Sequence, residues 1–154
     1  MRIYSNAGFS RVAGTGEGSS SAAVCRVDLH HDHDHNAALM ICNGVGADTC
    51  GKIATRLKAL EAEEVACVCV DLPMADPNVF VHGADLHRLG FAFGCILPEA
   101  REDGDVLRLQ HFGGKDPDTG EIATSSDFGQ SLLASITASC RRVAGPRVGF
   151  EHEQ

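Results

Sequence analysis

Asn43-Gly44-Val45-Gly46-Ala47-Asp48-Thr49-Cys50-Gly51-Lys52-Ile53 is the stretch on which the fold turns. It follows an apolar run at residues 37–42 and opens a segment in which Ile53, Leu57 and Leu60 share one helical face. A second apolar run, residues 65–70, comes next and leads to Asp71. Strand, glycine turn, helix and strand in that order is the plan of α/β units that bind nucleotides and coenzymes. The glycines allow a tight turn and bring backbone N–H groups near an anion, and the first helical turn offers further free N–H groups. The same glycines also serve a plain strand-to-helix connection, and both readings stand at this point.

The chain has 154 residues, enough for one domain with a real core and short for two. Its formal charge of -8, without a dense Lys/Arg run, argues against general nucleic-acid binding. No apolar run approaches the roughly 20 residues that span a bilayer, and the amino terminus does not read as a signal peptide. The expectation is a cytoplasmic protein without a membrane partner. Seven cysteines, at 25, 42, 50, 67, 69, 95 and 140, fall largely in apolar runs and read as packed thiols in a reducing compartment. Cys67 and Cys69 alternate along a strand and face one side, but no companion pair completes a zinc ribbon or iron–sulfur pattern.

Outward from the central stretch, residues 1–21 are Gly/Ser-rich and read as a flexible segment, 22–145 as the domain, and 146–154 as a disordered tail. Residues 22–29 and 37–42 read as a hairpin with a polar tip at 30–36. A helix is expected over 49–61, capped by Asp48 or Thr49, and an inner strand over 65–70, buried on both faces. Asp76-Pro77 starts a second helix that Gly90 ends. Strands are expected at 91–96, ended by Pro98, and at 106–112, with a polar turn at 99–105 between them. A short edge strand follows at 121–124, and a terminal helix at 128–142 carries Leu132, Leu133, Ile136 and Cys140 on its apolar side.

Residues 65–73 (VACVCVDLP), Asp76-Pro77, Leu86-His87-Arg88-Leu89-Gly90-Phe91, Gly94-Cys95-Ile96-Leu97-Pro98-Glu99 and Val106-Leu107-Arg108-Leu109-Gln110 together resemble the carboxyl half of the GCN5-related N-acetyltransferase (GNAT) superfamily. The likeness covers about residues 37–112 and is strongest to GNAT-like regions found alone or appended to bacterial regulatory proteins. It implies a single α/β domain with a mixed β-sheet flanked by helices, shortened at its amino-terminal end. It also implies acetyl-CoA as coenzyme, bound at Gly44, Val45, Gly46 and Ala47 with Lys52 nearby. In the family's coenzyme signature Arg or Gln precedes the small residues; here that position is Ile41. A shortened sheet implies completion by a second copy, hence a homodimer, and the regulatory likeness implies a protein partner in bacterial regulation. Acetyl transfer would need a proton acceptor and an acid. Asp71, His82 and His87 are candidates, the sole tyrosine, Tyr4, comes too early for the family's late acid, and no catalytic set emerges. The implied function is an acetyl-CoA-dependent N-acetyltransferase-like protein, with the missing tyrosine counting against turnover. The alternatives are a non-catalytic regulatory or ligand-binding GNAT-like module, or a structural or interaction protein with a histidine-rich metal-binding loop.

Two further constellations compete. Residues 46–52 imitate the start of a phosphate loop, but Ile53 stands where a Ser or Thr would meet magnesium. Asp28, His30, His31, Asp32, His33, Asp34 and His35 form a tract in which His31, His33 and His35 would point one way if extended, a candidate zinc or nickel site. The same histidines, gaining charge near pH ~6.5, would turn the tract into a pH-sensitive loop.

Overall fold

The computed structural model describes residues 24–115 and 118–143; the readings made for residues 1–21, for Tyr4 and for the carboxyl-terminal tail lie outside them. The elements in chain order are β1 (Val27–Asp32), β2 (Ala37–Cys42), α1 (Thr49–Ala62), β3 (Cys67–Pro73), α2 (Asn78–Arg88), β4 (Ala92–Arg101), β5 (Gly104–His111) and α3 (Asp127–Val143). They form one α/β domain with a five-stranded mixed sheet of order β1-β2-β3-β5-β4. Only β2 and β3 are parallel, as the α1 crossover between them requires; every other neighbouring pair is antiparallel.

The pleat divides the sheet into two unlike faces. Ala38, Met40 and Cys42 of β2 and Val68, Val70 and Leu72 of β3 point to one face and are buried in a core with Ile53, Leu57 and Leu60 of α1 and Val79 and Leu86 of α2. Their alternating neighbours Leu39, Ile41, Cys67 and Cys69 are only half-buried on the other face. The inner strand is therefore not buried equally on both faces as its apolar run suggests, and its second-face residues are the thiols and Asp71. The terminal helix approaches that second face, where Ser139 Oγ accepts from the Phe93 N–H at 3.2 Å.

Several boundaries differ from expectation for identifiable reasons. The first strand begins later and runs through His30, His31 and Asp32, which pair with Leu39, Ala38 and Ala37. Ladder pairing with an apolar partner strand outweighs the low strand propensity of these polar residues. β4 does not stop at Pro98 but continues to Arg101 past a register shift between Leu97 and Arg101. An edge strand with a bulge tolerates proline because no ladder donor is needed there. Residues 121–124 form turn and irregular backbone, not a strand.

Gly90 ends α2 as its position predicts, with φ 93°. A Cβ there would lie 2.9 Å from Cδ2 of His111, a side chain that is itself 3 % exposed. Gly90→Ala is expected to cost about 2 kcal/mol through the positive φ and the displaced imidazole. Urea unfolding checks this, and a loss under about 0.5 kcal/mol would show that the helix end relaxes freely.

Candidate functional site

The glycine turn leaves β2 at the carboxyl end of the parallel pair, with Gly44 at φ 145°. Two of its amides are already engaged. The Val45 N–H donates to Oδ2 of Asp76 at 2.8 Å, and the Gly46 N–H donates to Oγ1 of Thr49 at 2.8 Å. Asp76 also accepts from the Asn78 N–H at 3.0 Å through Oδ1, and Asn78 Nδ2 donates to the Val45 carbonyl at 3.1 Å. One carboxylate thus caps the start of α2 and fills the anion position of the turn, as backbone N–H groups at a helix start favour. Lys52 is held as well, donating to the Cys25 carbonyl at 2.6 Å and pairing with Asp48 Oδ2 at 2.7 Å. Asp48 precedes α1 but makes no side-chain cap; the bond from Lys52, then that from the Cys25 N–H, hold its carboxyl below the usual range. Ala47 is the exposed member of the set. A pyrophosphate at Gly44, Val45, Gly46, Ala47 and Lys52 would have to displace Asp76 and compete with Asp48.

A different grouping forms one turn further on. In α1 the stripe Cys50, Ile53, Leu57, Leu60 follows helical spacing, and in α2 Val79, His82 and Leu86 do the same. Cys50 begins the first stripe and His82 interrupts the second, and Asp85 stands one turn after His82. One ligand atom from each of Cys50, His82 and Asp85 lies within 4.8 Å of the other two, the one such His/Cys/Asp/Glu group among the described residues. His82 Nδ1 is 3.8 Å from Asp85 Oδ2, and Asp85 also pairs with Arg88. Burial, then the Asp85 carboxylate, push the Cys50 thiol up. A cation between them would reverse that, offsetting the carboxylate and displacing the thiol proton.

The histidine tract is arranged otherwise. Residues 33–36 turn instead of extending, with Asn36 at φ 49°, so the alternation that would align His31, His33 and His35 stops at Asp32. The His31 and His33 rings lie 4.0 Å apart, His31 Nδ1 is 3.7 Å from Glu63 Oε2, and His35 Nδ1 meets Asp32 Oδ2 at 2.9 Å. The bond with His35 holds the Asp32 carboxyl below its ordinary value.

Asp71 is engaged across the sheet. Its two oxygens accept from Arg108 Nε and Nη2, both at 2.7 Å, a fork pairing across β3 and β5. With Ile41, Leu72, Pro73, Ala100, Arg101 and Val106 it lines a cleft of about 120 Å³. A carboxylate so held is poorly placed to take a proton from an amine. His87 is exposed on α2, apart from the inward stripe.

In the sequence Cys50 reads as a packed thiol and His82 as a catalytic candidate, not as ligands of one ion. The one local signal was a polar residue standing where helical spacing places an apolar stripe. No protein-family model matches this chain, and neither does any curated protein or solved structure. Among the described residues, no helix is long and apolar enough to cross a membrane.

Proposed function

We propose that this chain is a non-catalytic ligand-binding module whose ligand is a divalent cation of the zinc type, held by Cys50, His82 and Asp85. The convergence of the three ligand atoms within 4.8 Å carries the reading. Sulfur, nitrogen and carboxylate oxygen together suit borderline zinc better than the all-oxygen preference of magnesium or calcium. Tetrahedral bonds of about 2.0–2.3 Å bring ligand atoms to about 3.3–3.8 Å from one another, so the trio would close slightly on the ion. Three protein ligands leave a fourth position for water or a partner's side chain. Bound there, the ion would clasp α1 to α2 beside the Asp76-held turn, which makes a regulatory role chemically reasonable.

The acetyl-CoA reading has one observation in its favour. The parallel β2–α1–β3 unit opens its glycine turn at the carboxyl end of β2, where ligands of α/β sheets bind. It requires Asp76 to give up the Val45 amide.

Calorimetric titration of chelator-treated protein with zinc, and then with acetyl-CoA, tests both. One zinc per chain is expected, with affinity falling about 100-fold or more in Cys50→Ser and in His82→Ala, and unchanged in a His31→Ala/His33→Ala variant. Zinc uptake that ignores Cys50→Ser sinks the proposal. Saturable acetyl-CoA binding near one per chain would instead restore the coenzyme reading.

A further inference from the structure

Four of the seven cysteines are gathered around the sheet face opposite α1 and α2. Cys67 and Cys69 lie on β3, two residues apart and on the same side of the pleat, with Sγ atoms 4.0 Å from each other. Cys95 of β4 pairs in register with Arg108, the neighbour of Asp71, and so shares that face. Cys140 is buried on α3, where Gln110 Nε2 donates to its sulfur at 3.6 Å, and Gln110 stands opposite Cys69 in the ladder. This grouping shares no residue with the Cys50 trio and lies on the other side of the sheet.

We propose that Cys67 and Cys69 form a two-thiolate clamp for a soft, thiophilic univalent cation, copper(I) being the type, with a third coordination position left open. The spacing is the first reason. Two metal–sulfur bonds of about 2.3 Å, meeting at the roughly 120° of a trigonal centre, set their sulfurs about 4.0 Å apart. The second reason is the company the pair keeps. Leu39 and Ala37 flank it in the ladder, and the nearest carboxylate on β3, Asp71, is committed to Arg108. Among the described residues no imidazole or carboxylate joins the pair in a three-ligand group, so a zinc ion would lack the ligands to complete four, whereas thiolates alone satisfy copper(I). The third reason concerns the competing fate of two close thiols. Residues two apart on a strand have Cα atoms about 6.7 Å apart, at the upper limit that a disulfide spans, so the pair is poorly suited to oxidative closure. All seven cysteines are free thiols.

Binding exchanges S–H bonds for S–metal bonds: each coordinating thiol releases one proton to solvent, and no electron is transferred.

The test is an anaerobic titration of the full chain with copper(I) against a chromophoric copper(I) chelator, followed by alkylation and mass spectrometry. One copper(I) per chain is expected, with a thiolate-to-copper band in the ultraviolet and protection of Cys67 and Cys69 from N-ethylmaleimide. Cys67→Ser and Cys69→Ser should each weaken binding about 100-fold or more, while Cys50→Ser leaves it unchanged, separating this site from the zinc trio. Equal alkylation of Cys67 and Cys69 with and without copper(I) would overturn the clamp, and needs no variant that folds. Binding that follows Cys50 instead would overturn it equally.

Discussion

Arg108→Ala is expected to lower unfolding stability by about 3 kcal/mol, because it leaves the Asp71 carboxylate without its counter-ion in a site where that side chain is 12 % exposed. The pairing is a two-point fork at 2.7 Å on both arms, which adds direction to charge. Arg108 is 32 % exposed, so the reverse change, Asp71→Ala, should cost less, since water reaches the stranded guanidinium. A double replacement, Asp71→Leu with Arg108→Met, should recover most of the loss, because removing both charges also removes the desolvation cost. Chemical denaturation of the three variants checks the ordering. Near-equal losses in all three would mean that packing, not charge, holds this part of the sheet. The hydrogen bonds that Arg108 donates to Asp71 raise the Arg108 pKa, so the folded chain holds this proton more tightly than the unfolded one. Its contribution is complete below the unfolded value and fades only as pH rises through the folded one, above any pH of working interest. The Arg108 contribution should therefore stay level from about pH 5 to 9.

Phe91→Ala should cost about 4 kcal/mol, at the upper end for core truncations. Phe91 is 2 % exposed and is the largest of the fully buried side chains. It follows Gly90 directly, its N–H donates to the Leu86 carbonyl at 3.1 Å, and its ring lies 5.5 Å from that of His111. Those contacts tie the end of α2 to the last residue of β5, so closing the cavity left by alanine would require that junction to move. Phe91→Leu, which keeps most of the volume, should cost under about 1.5 kcal/mol. Urea midpoints and slopes measure both. A Phe91→Ala loss below about 1 kcal/mol would show that the core closes over the gap.

Much of the scaffold was legible before any coordinates. β2 occupies residues 37–42 as its apolar run indicates, and α1, α2 and α3 fall within two residues of their expected limits. These elements announce themselves through spacing within the chain: alternation for the strand, three- and four-residue steps for the helices, and glycine or proline at their ends. The misreadings share a cause. His30 to Asp32 became strand because β2 offered them a ladder, and Pro98 stayed within β4 because an edge strand with a bulge does not need its N–H. Both depend on a neighbour that local pattern does not name.

The site chemistry shows the same division. From sequence alone, Cys67 and Cys69 had to share a face, Gly44-Val45-Gly46 had to turn, and Ile53, Leu57 and Leu60 had to seek a core, since each follows from the period of a strand, the freedom of glycine or the period of a helix. Only the tertiary structure set Asp76 against the Val45 amide, joined Cys50 to His82 and Asp85, and gave Asp71 its arginine by placing β5 between β3 and β4. Periodicity fixes which way a side chain points along its own element, but which charge or thiol it meets is decided by strand order and helix docking. Those arise from the burial of the whole core, which no local stretch encodes.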